Sequence, residues 1–94
     1  MSGSFRVLIT AAFEREFRSI SKRDAALVRA LGEVVQILQA DPHNRTGRYP
    51  IKKLAGLDLG EGQWRVRWGN YRVRYDVDGN NVVLHSFRHR KDAY

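Results

Sequence analysis

The amino-acid sequence predicts an α+β fold in which a helical hairpin packs on one face of an antiparallel sheet, in the order β-α-α-β-β-β. Apolar residues recur at helical spacing between residues 10 and 40, whereas apolar and polar residues alternate from residue 64 to residue 77. The alternating part is interrupted by Gly-Asn at 69–70 and followed by Asp-Gly-Asn-Asn at 78–81, and both are turn sequences. A chain of 94 residues has room for one domain, which we place at residues 1–94.

One strand and one helix are predicted first. Residues 5–10 (FRVLIT) are rich in β-prone side chains and form the first strand. Phe13, Phe17 and Ile20 then follow at the i, i+4 and i+7 spacing of one helix face. Thr10 is the expected N-cap, because its hydroxyl can accept a hydrogen bond from an amide of the first turn.

A second helix is expected from about Ser21 to about residue 40. Ser21 and Asp24 approximate a capping box at its start. Asp41 ends the helix, since a residue that precedes proline disfavours the α region. The apolar stripe of this helix consists of Leu27, Leu31, Val34, Val35 and Leu38. These side chains, like the phenylalanines of the first helix, are interpreted as core.

A long connection and a hairpin follow the helices. Residues 42–62 are rich in glycine, proline and basic residues, and connections of this length are often functional. The hairpin at 64–77 turns at Gly69-Asn70, and one of its faces is apolar and aromatic. The residues of that face, which we expect the helices to cover, are Trp64, Val66, Trp68, Tyr71, Val73, Tyr75 and Val77.

The other face of the hairpin carries four arginines. In this register Arg67 lies opposite Arg72, and Arg65 lies opposite Arg74. Like charges directly across a sheet are destabilising, although water and salt screen exposed charges beyond about 8–10 Å. The arrangement becomes useful when an anion binds, because a planar guanidinium grips phosphate through two hydrogen bonds and stacks on bases. We therefore interpret this face as a nucleic-acid cradle.

The last predicted strand covers residues 82–87 (VVLHSF), and its register is open, since a turn one residue longer or shorter would exchange its two faces. His85 is interpreted as a strand histidine with a satisfied ring, and His43 is given no functional role. A basic tail follows the strand and contains Arg88, His89, Arg90, Lys91 and Tyr94. A histidine, a guanidinium and a phenol can move protons and stabilise a phosphorane in a metal-free ribonuclease, but a basic tail can equally be no more than solvated.

Positive charge is concentrated in the second half of the chain. Residues 1–43 carry six Lys/Arg and five Asp/Glu, a net of +1, whereas residues 44–94 carry eleven and five, a net of +6. A basic half attracts phosphate or an acidic protein. With no cysteine and three histidines, the sequence predicts no disulfide, no metal site and no cofactor. Without a signal-peptide pattern or a run of about 18 apolar residues, it predicts a cytoplasmic protein with no membrane segment.

The segment from KKLAGL at 52–57 to the terminal tyrosine resembles the C-terminal half of the RelE/ParE superfamily of toxin–antitoxin toxins. The shared features are the basic and apolar loop motif, a W-R-[IV]-R strand, a Y-R-[IV] strand and a terminal H-R-x-[DE]-x-Y. They occur here as WRVR at 64–67, YRV at 71–73 and HRKDAY at 89–94. Residues 5–41 agree with the superfamily only in their strand–helix–helix order.

The resemblance implies a RelE-like fold and a toxin of a type II module. RelE-type members enter the ribosomal A site and cleave mRNA through the ribose 2′-hydroxyl without metal. ParE-type members share the fold, inhibit DNA gyrase and lack the nuclease residues. Carried over from the RelE type, the catalytic set is Arg65, Arg67, Arg72, His89, Arg90 and Tyr94. The RNA-binding set predicted around it is Lys52, Lys53, Arg74, Arg88 and Lys91, in which Arg74 is included because it shares the arginine-bearing face and not because the superfamily has a counterpart.

The implied partners are the ribosome, mRNA and a cognate antitoxin with an acidic, partly disordered segment. Arginine stands at 65 and 67 where lysines can occur in the superfamily, and a guanidinium is a poor proton shuttle. Acid–base work therefore shifts toward His89 and Tyr94. Three interpretations stay open at this point: a ribosome-dependent endoribonuclease, a non-enzymatic gyrase inhibitor, and a module that binds only its antitoxin.

Overall fold

The computed structural model describes residues 4–92, in which two helices lie on one face of a five-stranded sheet. The elements are β1 (Arg6–Ile9), α1 (Ala11–Ser21), α2 (Ala26–Ala40), β2 (Ile51–Lys53), β3 (Trp64–Trp68), β4 (Tyr71–Asp78) and β5 (Asn81–His89). The α+β class predicted from the sequence is confirmed. Within the described range, neither helix has the length and apolar character needed to cross a membrane.

The strands lie in the order β1-β5-β4-β3-β2. All neighbours pair antiparallel except β1 and β5, which run parallel with Val7 beside Val82. This parallel pair and the strand β2 both depart from the predicted antiparallel sheet. β2 has three residues, with Ile51 beside Val66, and is too short for a periodic pattern to reveal it. The β1–β5 pair joins opposite ends of the chain, where no turn sequence marks it.

Helix α1 begins as predicted, whereas α2 begins later than predicted. The Thr10 hydroxyl accepts a hydrogen bond from the Phe13 amide at 3.1 Å, which makes Thr10 the N-cap of α1. Ser21 is the last residue of α1, and its hydroxyl donates back into that helix, so the prediction that it starts α2 was wrong. Asp24 Oδ1 instead accepts from the amide of Ala26, the first residue of α2.

The core lies between the helices and one face of the sheet. Its ten side chains, each at most 6% exposed, are Phe13, Leu27, Val34, Leu38, Val66, Val73, Tyr75, Val82, Leu84 and Phe87. A fully buried side chain of this size contributes roughly 1.5–3 kcal/mol. The Tyr75 hydroxyl donates to the Pro42 carbonyl at 2.7 Å, and burial raises the pKa of this phenol. The opposite face of the sheet is left without a covering layer of helices.

The predicted hairpin of β3 and β4 is confirmed, with Trp64 opposite Tyr75 and Trp68 opposite Tyr71. Gly69 is the first residue of its two-residue turn and has a φ of 56°. Residues that carry a side chain rarely adopt this φ value, so the turn favours glycine at this position. The hairpin therefore places its aromatic side chains toward the helices and its arginines away from them.

Strand β5 extends beyond its predicted end and contains a β-bulge. Tyr75 pairs with Leu84, but the residue before Tyr75 pairs with Ser86, which leaves His85 as an extra residue. Before the bulge the even-numbered residues Val82 and Leu84 face the core, whereas after it the odd-numbered Phe87 does. Both of the alternatives that the sequence left open therefore occur, one on each side of His85.

Candidate nucleic-acid interface

The face of the sheet turned away from the helices carries most of its basic side chains, and we call it the arginine face. Its members are Lys52, Arg65, Arg67, Arg72, Arg74 and Arg88, drawn from four adjacent strands. The pairing aligns Arg67, Arg72 and Arg88 in one row across the sheet. Lys52, Arg65 and Arg74 form the next row. With neighbouring strands about 4.8 Å apart, six cations share a small surface that favours a bound polyanion.

The predicted basic pair at 52–53 is divided between the two faces. Lys52 lies beside Arg65 on the arginine face. Lys53 alternates to the other side, where its Nζ lies 5.6 Å from the centre of the Trp64 ring. Lys53 therefore covers an aromatic side chain of the helix-facing side, and only Lys52 lies in the plane of the arginines.

Arg72 supports the hairpin turn from the arginine face. Its Nη1 donates to the Gly69 carbonyl at 3.3 Å and to the Tyr71 carbonyl at 3.0 Å. Its Nε is buried and has no hydrogen-bond partner within residues 4–92. A buried donor without a partner costs about 1–3 kcal/mol. A phosphate that drew this side chain outward would give the Nε an acceptor.

Arg74 is directed at the loop that joins β2 to β3, residues 54–63. Its Nε and Nη2 donate to the Gly62 carbonyl at 3.1 and 3.0 Å, and Nη2 also donates to the Glu61 carbonyl at 2.8 Å. Gly62 has a φ of 78°, and a Cβ there would stand 3.1 Å from the Cβ of Arg74. This close approach requires glycine. Arg74 therefore shapes the loop and contributes positive charge, with most of its donors occupied.

Arg88 pairs with an acidic residue of α1. Its Nε donates to Glu16 Oε2 at 3.1 Å, while Glu16 Oε1 accepts from the Phe87 amide at 3.0 Å. The carboxylate thus accepts from a backbone amide of β5 that has no partner in β1, since β1 pairs with β5 only as far as Leu84. The arginine side chain is 54% exposed, and an exposed ion pair is worth about 0–1 kcal/mol. A nucleic-acid phosphate can therefore compete for Arg88.

The predicted catalytic tail is divided between the two sides of the sheet. Arg88 and His89 belong to β5 rather than to a segment after it. His89 packs edge-on against Tyr71 on the helix-facing side, with 5.3 Å between the ring centroids. Its Nδ1 accepts a hydrogen bond from the Lys91 amide at 3.2 Å. The neutral ring of His89 therefore carries its proton on Nε2.

The remaining tail residues lie at the end of the sheet near the hairpin turn. The Arg90 amide donates to the Asn70 carbonyl at 2.7 Å. A cleft of about 460 Å³ opens between α1 and the end of β5, beside His89, with Arg15 and Asp92 in its walls. Tyr94 lies outside the described residues, so its predicted place in the site rests on the sequence resemblance alone.

A second cluster on the arginine face was not predicted. Asp76 is 2% exposed, and its Oδ2 accepts from the amides of Gly60 at 2.7 Å and Gly62 at 3.3 Å. Its Oδ1 accepts from the Gln63 amide at 2.8 Å, and the Nε2 of His85 lies 2.6 Å from Oδ2. Burial alone would raise the pKa of this carboxyl. The hydrogen bonds from the three amides and the imidazole outweigh burial and hold its pKa below 3.8.

The position of Asp76 in this cluster could be predicted from the sequence, but its neighbours on β5 could not. Asp76 alternates in phase with Arg72 and Arg74, which makes it a carboxylate in a basic row. The rest depended on the register of β5, which places Val83 beside Asp76 and His85 two residues further along the same face. The sequence interpretation of His85 as a satisfied strand histidine accounts for its Nε2, which contacts Asp76, but its position on the arginine face was missed.

His43 lies on the helix-facing side, apart from the arginines. Its ring packs edge-on against Phe5 at 5.8 Å and against Trp64 at 5.4 Å between centroids. Burial, aided by the positive charge of Arg45, lowers the pKa of this imidazole below 6.5, although Asp41 acts in the opposite direction. These contacts show that the His43 ring packs against two aromatic side chains.

The sequence matches a family model across most of its length. That family is described as the ParE toxin of type II toxin–antitoxin system, parDE, and the match covers residues 7–94. Toxin RelE3 of Methanocaldococcus jannaschii is 36% identical over 44 residues, which make up 47% of this chain and 47% of that protein. The chain thus aligns with about half the length of this curated relative.

Three solved structures share the fold over 93% of this chain. The RelB–RelE antitoxin–toxin complex of Methanococcus jannaschii has a TM-score of 0.70 at 21% identity, over 94% of its chain. The archaeal RelE–RelB complex of Pyrococcus horikoshii OT3 has a TM-score of 0.70 at 27% identity, over 96% of its chain. The RelBE2 toxin–antitoxin complex of Mycobacterium tuberculosis has a TM-score of 0.63 at 24% identity, over 99% of its chain. Each of these structures is a complex with an antitoxin.

Proposed function

The chain belongs to the ParE toxin family of type II toxin–antitoxin systems, within the RelE/ParE superfamily, and we propose that it is a toxin that cleaves mRNA on the ribosome. The observation that carries this proposal is the arginine face, where basic residues of four adjacent strands align in two rows across the sheet. A face of this kind binds the phosphates of a single strand and stabilises the extra negative charge of a phosphorane. RNA cleavage through the 2′-hydroxyl needs both.

The proposed roles follow the position of each group. Arg65, Arg67 and Arg72 bind the scissile phosphate and its neighbours, and Lys52, Arg74 and Arg88 add positive charge around them. Arg90, at the end of the sheet, contacts a flanking phosphate together with Lys91. His89, with its proton on Nε2, and Tyr94 are the candidates for protonating the leaving 5′-oxygen. Lys53 is the one predicted RNA-binding residue that the fold turns away from this surface.

The antitoxin is the proposed physiological partner. The three structural neighbours are toxin–antitoxin complexes, and the second half of this chain carries a net charge of +6. An acidic, partly disordered antitoxin segment that folds on the toxin would neutralise the arginine face and compete with RNA for it. The proposed place of action is the cytoplasm, where mRNA and ribosomes occur together.

Inhibition of DNA gyrase is a second candidate function. The match to the ParE family model over residues 7–94 favours it, because the resemblance implies gyrase inhibition for ParE-type members. An arginine face that neutralises an acidic protein surface would serve this function without any catalytic group. The two candidates therefore differ in whether the chain needs an acid and a base.

Induced expression followed by primer-extension mapping of cellular mRNA tests the proposal. We expect cuts at defined positions within codons, present in the wild type and lost in the Arg67→Ala, Arg72→Ala double variant. Arg23→Ala removes an exposed cation from the helix side and serves as the matched control, for which we expect cuts as in the wild type. Intact mRNA together with gyrase-linked DNA breaks would overturn the ribonuclease proposal in favour of gyrase inhibition.

A further inference from the structure

We propose that His85, held by Asp76, is the proton acceptor for the ribose 2′-hydroxyl when RNA is cleaved at the arginine face. The inference rests on the proposed ribonuclease function and adds to it a base that lies outside the terminal segment. The resemblance to the RelE type assigns no role to either residue. The structure carries the inference through four observations: the bulge, the ring orientation, the adjoining cavity and the neighbouring arginines.

Strand alternation and the β-bulge together keep His85 on the arginine face. Leu84 is fully buried in the core, and His85, the next residue, lies on the other side of β5. Its imidazole contacts Asp76, which alternates with the core residue Tyr75 and so lies on the same side of the sheet. The bulge at His85 then returns Phe87 to the core side, so that an imidazole is accommodated beside the guanidinium groups without loss of the core contact.

The contact with Asp76 fixes which nitrogen of His85 can act as a base. Asp76 is ionised and can only accept hydrogen bonds, so the Nε2 of His85 carries the proton between them. The lone pair of the neutral ring is then on Nδ1, which makes no hydrogen bond within the described part of the chain. A carboxylate behind an imidazole holds the productive tautomer and stabilises the imidazolium that forms.

His89, the histidine that the sequence predicted to be catalytic, makes its hydrogen bond through the other ring nitrogen. Its Nδ1 lone pair already accepts from the Lys91 amide, and its ring packs on Tyr71 away from the arginines. It can donate a proton from Nε2 but has no free lone pair in this conformation. Of these two imidazoles of β5, His85 is the one arranged to accept a proton.

A cavity gives access to the His85 ring, whose side chain is 26% exposed. The cavity has a volume of about 240 Å³, and its walls include Leu59 and Val83 as well as the Asp76–His85 pair. The charged groups that face the imidazole in its lining are Asp76 and Asp78. The ionised carboxylate of Asp76 is stabilised by its amide donors, and Asp78 is exposed to solvent. Leu59 is 54% exposed and offers an apolar surface on which a base can rest.

Arginines lie within one row of this pair. Arg74 precedes Asp76 by two residues on the same face of β4, and Arg65 pairs with Arg74 on β3. Rows on one face of a strand are about 6.6–6.8 Å apart. A phosphate held over Arg65 and Arg74 therefore places the adjoining ribose toward His85.

The chemical step conserves the atoms of the substrate. The 2′-O–H bond breaks and its proton goes to His85 Nδ1, while the 2′-oxygen forms a bond to phosphorus. The bond from phosphorus to the 5′-oxygen then breaks, and that oxygen takes the proton that the terminal segment donates in the proposed function. The products are a 2′,3′-cyclic phosphate and a 5′-hydroxyl, and the imidazolium returns its proton to water.

Single-turnover cleavage of mRNA on programmed ribosomes tests the inference with His85→Gln. The amide of glutamine can still donate to Asp76, so we expect the melting temperature and the affinity for ribosomes to stay near those of the wild type. The cleavage rate should fall on the order of 10²–10⁴-fold. His43→Phe removes a histidine from the helix-facing side and is the matched control, expected to cleave at the wild-type rate.

The pH dependence separates a chemical role from a structural one. A general base acts only in its unprotonated form, so the wild-type rate should rise with pH, and His85→Gln should lose that rise. If His85→Gln is less stable than the wild type, the pH dependence of the cleavage rate of its folded fraction still separates the two roles. Loss of a purely structural residue would leave the rise of the rate with pH in place. Cleavage by His85→Gln at the wild-type rate would overturn the inference alone. Absence of cleavage by the wild type would overturn the proposed function and the inference with it.

Discussion

His89 packs edge-on against Tyr71 on the helix-facing side of the sheet, with 5.3 Å between the ring centroids. Their strand neighbours Arg88 and Arg72 pair with each other on the other side. A histidine and an arginine that are adjacent in sequence thus face opposite directions, because successive residues of a strand alternate. Beyond them, the Arg90 amide donates to the Asn70 carbonyl of the hairpin turn, which places Arg90 at the end of the sheet.

The two acid candidates of the terminal segment are expected to respond differently to substitution. Tyr94→Phe removes one hydroxyl and should lower single-turnover cleavage on the order of 10²-fold or more, with ribosome affinity unchanged. His89→Gln should lower cleavage less, because the ring faces the helices, and should reduce stability by about 0.5–1.5 kcal/mol through the lost contact with Tyr71. Both quantities come from cleavage assays and urea unfolding of the same preparations. Equal, wild-type cleavage by both variants would remove the terminal segment from the chemistry.

Arginines of the arginine face are expected to separate into binding residues and supporting residues. Arg67 is exposed, so Arg67→Ala should weaken RNA binding and toxicity without changing the melting temperature. Arg72→Ala should also lower toxicity, but at a cost of about 1 kcal/mol, because it loses its bonds to the turn carbonyls. Arg65→Ala should lower toxicity with the fold intact. Differential scanning calorimetry beside a toxicity assay measures both effects, and large stability losses in all three would identify them as structural.

The hairpin and its faces were predictable because their signals are local. Alternating side chains and a Gly-Asn turn determine which residues pair, and the pairing of Trp64 with Tyr75 follows from those signals alone. β2 and the parallel β1–β5 pair were missed because they join distant segments, and three residues are too few for a period. A local pattern carries no information about which remote strand lies beside it.

The Asp76–His85 contact was unpredictable for a related reason. It depends on the pairing register of β4 with β5, which the sequence left open. Ser21 illustrates a different limit, since a capping pattern does not determine where a helix starts. Helix α2 begins at Ala26, with Ala25 as its N-cap and no side-chain cap hydrogen bond.

Binding of the antitoxin is expected to depend strongly on salt. The second half of the chain carries a net charge of +6, and pairing of exposed charges weakens as the screening length falls from about 10 Å at 0.1 M to about 3 Å at 1 M salt. Charge complementarity acts mainly on the association rate, so the rate constant should fall more steeply with salt than the dissociation rate constant rises. Surface plasmon resonance at several salt concentrations gives both. An association rate that is insensitive to salt would show that the contact does not involve the arginine face.

Arg74→Ala is expected to loosen the loop at 54–63. The substitution removes the donors to the Glu61 and Gly62 carbonyls, and a hydrogen bond to a charged group makes a net contribution of about 1.5–3 kcal/mol. We expect a net loss of about 1–3 kcal/mol in urea unfolding, together with faster proteolysis within the loop. Arg67→Ala, which removes an exposed cation from the same face, is the control and should change neither. If Arg74→Ala lost as much RNA binding as Arg67→Ala and kept the stability of the wild type, Arg74 would be a binding residue and not a support for the loop.

His43 is expected to make stability fall as the solution becomes mildly acidic. Its pKa is lowered first by burial and then by the charge of Arg45, so the unfolded chain binds a proton at pH values where the folded chain does not. Above about pH 6.5 both states are neutral at this residue and it adds no pH dependence. Below 6.5 the unfolded state is favoured progressively until the folded pKa is reached.

His43→Phe isolates this contribution. Phenylalanine can keep the edge-on contacts with Phe5 and Trp64 but binds no proton. Its free energy of unfolding, measured in urea from pH 7.5 down to pH 5, should therefore decline less than that of the wild type. The carboxylates of Asp41 and Asp76, whose pKa values are lowered from 3.8, lose their contribution only at more acidic pH and do not overlap this window. An identical decline in both proteins would show that His43 does not contribute to it.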